Sequence, residues 1–102
     1  MKVYLITAGC VHEGGSVYGT YVTEELAREH FDRMITEKRE RARQMHDWTL
    51  SNPYGWPEPE DDEERQNRAK GWLEETTEIF DNKETYIFSG IDYITLTVVE
   101  AR

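Results

Sequence analysis

The side chains best suited to chemistry are few and scattered. Cys10 and His12 stand close together, His30 and His46 follow far along the chain, and these are all the cysteines and histidines in 102 residues. A structural zinc site needs about four ligands, with a C-x₂₋₄-C or H-x₃₋₅-H pair among them, and neither pair occurs. As a nucleophile, Cys10 would need a base held by an orienting group. His12 is the nearest base, and nothing marks a third partner. Carboxylates are dense at Asp61, Asp62, Glu63 and Glu64, but such a run reads as a solvated helix start. Gly9, Gly14 and Gly15 lack the G-x-x-x-x-G-K spacing and the following helix of a phosphate loop. The expectation is a chain with no catalytic residues, no metal and no cofactor.

Binding residues are easier to name. Trp48, Tyr54 and Trp56 fall within nine residues, among Pro53, Pro57 and Pro59. Tryptophan and tyrosine dominate binding hot spots, and prolines lower the entropy lost when a segment docks. The acidic stretch follows at once. Trp48, Tyr54, Trp56, Glu58, Glu60, Asp61, Asp62, Glu63 and Glu64 are therefore the candidate partner-binding residues. The competing reading folds the tryptophans back as a lid over the helices. It is the favoured one for Trp48 and Trp72, while both readings stand equally for Tyr54 and Trp56.

Composition narrows the partners. The chain carries 21 acidic and 12 basic residues, a net charge of −9. That charge repels nucleic acid and anionic membranes and favours a protein with a basic surface. A single cysteine allows no internal disulfide, which makes a reducing cytoplasm the default. No stretch approaches the roughly 20 apolar residues of a membrane span. Hydrophobic residues are only 37% of the chain, so the core must be thin.

The elements that would position these residues follow from periodicity. Residues 2–8 (K-V-Y-L-I-T-A) and 16–22 (S-V-Y-G-T-Y-V) read as a hairpin, with Gly19 marking a bulge or a close backbone approach. Thr23 is a helix N-cap ahead of Glu24 and Glu25. A first helix should run from 24 to about 46 or 48, its second half projecting beyond the sheet or touching only the second helix. The prolines at 53, 57 and 59 force a loop. A second helix is predicted over 61–80, with Ala69, Trp72, Leu73, Thr76, Ile79 and Phe80 on one face. Asp81-Asn82 is a turn, 85–88 a short strand, Ser89-Gly90 another turn, and 91–100 the best strand, placed centrally beside the first. The predicted fold is α+β: one domain over 1–102, an antiparallel sheet of three or four strands packed on a two-helix hairpin, in the order ββ-αα-ββ. Arg33, Lys38, Arg39, Arg41 and Arg43 on the first helix should pair with Glu74, Glu75 and Glu78 on the second.

K-V-Y-L-I-T-A-G at 2–9, Y-G-T-Y-V-T-E-E-L-A at 18–27 and the closing V-V-E-A resemble small uncharacterised proteins of phages and bacteria. The resemblance covers roughly 40 of the 102 residues and implies no activity. It sets 36–80 apart as a helical insert, where individuality would reside. The functional expectation is a non-enzymatic acidic accessory protein, plausibly phage-encoded and working in the host cytoplasm. It would bind a host or viral protein through that insert, in its sharpest form as a counter-defence inhibitor whose carboxylates imitate DNA phosphates. Direct nucleic-acid or membrane binding is not expected, and the chain should be a monomer or homodimer. The alternative is a self-associating structural or virion assembly protein.

Overall fold

Alternation along 92–100 leaves no charged residue between Tyr93 and Val99 on either side, a pattern that suits the middle of a sheet. The computed structural model, which describes residues 1–51 and 62–100, places that strand there. Its elements are β1 (Lys2–Cys10), β2 (Gly14–Tyr21), α1 (Glu24–Ser51), α2 (Asp62–Trp72), β3 (Glu75–Phe80), β4 (Lys83–Phe88) and β5 (Asp92–Glu100). The strands form one antiparallel sheet in the order β2-β1-β5-β4-β3.

The sheet thus has five strands, and the order is ββ-αα-βββ rather than ββ-αα-ββ. The difference lies in residues 75–80, which continue no helix. Trp72, Thr76, Ile79 and Phe80 match a helical period, but E-T-T-E-I-F carries three β-branched side chains that prefer a pleated strand. The α2 end is closed by short turns, Leu73 N–H to Lys70 C=O and Glu74 N–H to Gly71 C=O. Asp81-Asn82 then serves as a two-residue hairpin loop, since Phe80 pairs with Lys83. Sheet pairing with β4 satisfies the backbone that a longer helix would have used.

Two loops set the ends of the sheet. Cys10 pairs with Gly14 across a three-residue loop, and Gly14 takes φ +80, a left-handed conformation costly for any residue with a Cβ. The β1–β2 register shifts between Ile6 and Thr7, opposite Gly19, and a Cβ on Gly19 would lie 2.6 Å from the Tyr21 ring. Of the two readings of Gly19 the bulge is present, and its close neighbour is a side-chain ring rather than backbone.

Helix α1 starts where Thr23 offers its carbonyl to the Ala27 N–H. Ala27, Phe31 and Ile35, one turn apart, bury themselves on Ile6, Ala8, Phe88, Ile94 and Leu96. Phe31 meets Tyr86 edge-on, ring centroids 5.7 Å apart. Burying a ring or branched aliphatic of this kind contributes about 1.5–3 kcal/mol each, so this one cluster carries most of the core. The molecule extends 58 Å along its long axis, well past the roughly 30 Å of a nine-residue strand. The excess is the second half of α1 with α2, a helical arm. α1 leads away from the sheet and α2 returns to it, where the Ser89 N–H donates to the Glu74 carbonyl (2.8 Å) and the Ser89 hydroxyl to the Trp72 carbonyl (3.2 Å).

Candidate interaction surfaces

Three charges of α1 pair with the sheet. Arg39 makes a bidentate pair with Glu75 (2.6 and 3.1 Å), but Glu75 belongs to β3. Lys38 reaches Asp92 of β5 at 3.4 Å, and Arg28 reaches Glu84 of β4 at 2.5 Å. Arg33 and Arg43 pair within their own helix, with Glu29 and Glu40. The expected ladder between the two helices is therefore replaced by a helix-to-sheet seam, because Glu75 and Glu78 lie on a strand. Within that seam the Tyr86 hydroxyl donates to Glu84. Burial first, and then the Glu84 charge, push the Tyr86 phenol above its ordinary range. The same carboxylate holds the Arg28 proton more tightly, chiefly through their hydrogen bond.

The arm has its own contact. Thr49 and Ala69 are buried between the helices. The Thr49 hydroxyl donates to the Met45 carbonyl (2.8 Å) and accepts from Trp72 Nε1 (3.1 Å). Trp72 is half-buried and packs into the arm as the lid reading requires. Trp48 does not: it is 57% exposed, since Thr49 and not Trp48 faces α2 on that turn. Asp62, Glu63 and Glu64 open α2 and are exposed, with Asp62 3.7 Å from Arg65. The other candidates, Tyr54, Trp56, Glu58, Glu60 and Asp61, lie outside the described residues.

The chemistry-bearing side chains stay apart. Cys10 is a half-buried thiol at the end of β1, and His12 sits exposed in the loop beyond it. His30 Nδ1 is 2.5 Å from the Tyr21 hydroxyl, and His46 Nδ1 is 3.0 Å from Asp47. Among the described residues, no three of His, Cys, Asp and Glu gather as a metal site. An open groove of about 690 Å³ runs beneath α1 at the end of the sheet, walled by Tyr18, Met34, Arg41 and Ile94, and the Lys38–Asp92 pair lies within its lining. Among the described residues, no helix is long and apolar enough to cross a membrane.

One surface escaped sequence reasoning. α1 covers the sheet face bearing Ile6, Ala8, Ile94 and Leu96. The opposite face, bearing Leu5, Thr7, Thr95, Thr97, Thr85 and Ile87, is covered by no described element. Its signal was available in β5, whose second row (Tyr93, Thr95, Thr97, Val99) carries no charge, while the first ends in Asp92 and Glu100.

Scans against protein-family models, curated proteins and solved structures find no match to this chain. The reading of function rests on these surfaces alone.

Proposed function

We propose that this chain is a binding protein, not a catalyst, and that its helical arm recognises a protein with a basic surface. The observation that supports this is Trp48, a large ring left in solvent on the arm while its neighbour Thr49 is buried. A bare indole next to water loses little on docking and gains the burial of a hot-spot side chain. The exposed carboxylates of Asp62, Glu63 and Glu64 on the partnered helix and the net charge of −9 set the sign of the partner. DNA mimicry is the narrower form of the proposal. Its carboxylate row along one helix is shorter than the sequence implied, because α2 stops at Trp72 and Glu75 is held by Arg39.

The test is affinity capture from bacterial lysate with the immobilised chain, its Trp48→Ala variant and a Glu63→Lys, Glu64→Lys variant. Wild type should retain a partner that elutes as salt rises. Trp48→Ala should weaken retention by roughly 30-fold or more, the scale of a hot-spot loss. A retained set identical for all three, or one indifferent to salt, rules the arm out as the binding element.

A further inference from the structure

We propose that the open face of the sheet is a self-association surface whose occupant is a second copy of this chain, packed face to face. This goes beyond the arm's role and does not depend on it. Charge is the first argument. A third of the chain is charged (32%) and the balance is −9, so most of its surface would repel a second copy. The open face is the exception. Among the described strand residues whose register places them there, Lys83 and Glu78 are the charged pair, one of each sign, and the rest are apolar, threonine, glycine or the Tyr93 phenol. A two-fold contact brings a surface against itself, which a net-neutral patch allows and a charged one does not. Under that symmetry Lys83 of one copy can answer Glu78 of the other.

Desolvation is the second argument. The hydroxyls at the centre of the face are already satisfied: Thr85 and Thr95 bond to each other at 3.0 Å and are buried within the single chain. Already out of water, they place no unsatisfied polar group on the face when the residues around them are covered. Around them Val17 and Val99 remain 59% and 42% exposed, apolar surface that a partner would remove from water.

Size is the third. Five strands of six to nine residues, at about 4.8 Å spacing and about 3.3 Å rise, present on the order of 600 Å² in projection. The corrugated accessible area is larger. It therefore approaches the roughly 800 Å² per partner of a stable complex. Two such sheets pack about 10 Å apart with strands nearly aligned.

The test is light scattering coupled to size exclusion, with sedimentation equilibrium across concentration. The full chain should run at twice its 12.1 kDa mass at tens of micromolar. The dimer should tighten as sodium chloride rises from about 0.05 to about 0.5 M, because screening relieves repulsion between like-charged copies. Val99→Glu and, separately, Val17→Glu place carboxylates on exposed positions of the face, where folding tolerates them. Each appears twice in a two-fold dimer and should raise its dissociation constant by on the order of 100-fold or more. Leu26→Glu, on exposed α1 surface, should leave the dimer intact, as should Trp48→Ala. A monomer at all concentrations overturns the proposal. So does a dimer unmoved by both valine variants, which would place the contact at the β2 or β3 edge, and so does a dimer lost with Trp48→Ala, which would place it on the arm.

Discussion

The open face of the sheet and the helical arm are both left bare by the packing of α1, yet they are built in opposite ways. The face is nearly uncharged, flat and anchored in the best-buried part of the molecule, with β5 and β1 directly beneath it. The arm is dense in charge and, among the described residues, is packed on Thr49, Ala69 and Trp72. Salt should therefore act on them with opposite signs, tightening contacts at the face and loosening those at the arm. The comparison teaches that net charge, taken over the whole chain, is a poor guide to any one surface. The −9 balance is concentrated away from the face that register makes neutral.

Three variants break or sharpen that contrast. The largest effect belongs to Phe31→Ala, which empties the core beneath both regions. A loss of about 3–5 kcal/mol is expected in urea unfolding, and the whole domain should fail together. If the arm alone loosened, the two regions would not share one core. Next comes Thr49→Val, which keeps the shape but leaves Trp72 Nε1 without its acceptor. The cost should be about 1–3 kcal/mol, confined to the arm. Hydrogen exchange should show α2 amides opening while β1 and β5 stay protected. Equal opening of β5 would mean that the arm is integral to the core. The smallest effect is that of Thr85→Val with Thr95→Val. Replacing both partners of a hydrogen bond by isosteric apolar groups is close to neutral, so stability should change by less than about 1 kcal/mol in thermal unfolding, and self-association should be unmoved because both side chains are already buried in the single chain. Loss of both folding and association would show that these hydroxyls stabilise the sheet on which the face is built.

Most of the elements were legible in the residues, though not their number. Strands at either end, the Thr23 cap, the length of α1 and the central place of the last strand follow from period and capping, which are local properties. The segment 75–80 misled because Trp72, Thr76, Ile79 and Phe80 fit a helical stripe while Thr76, Thr77 and Ile79 fit a strand. Six residues cannot decide between the two, and the backbone of β4 decided for them. Trp48 misled for a related reason. Its helix was predictable, but Thr49 and not Trp48 faces α2, and helix rotation is settled by packing.

Alone, the residue order determined an acidic α+β chain with one thin core, a helix beginning at Glu24 and a strand from about 91 to 100, because alternation, capping and turn chemistry act over a few residues. Only the tertiary structure decided that Glu75 answers Arg39 from a strand, that Trp48 stays in water and that the described elements leave one side of the sheet open. Those outcomes depend on which distant segments meet, and pairing across dozens of residues is fixed by competition between whole packings rather than by any local preference.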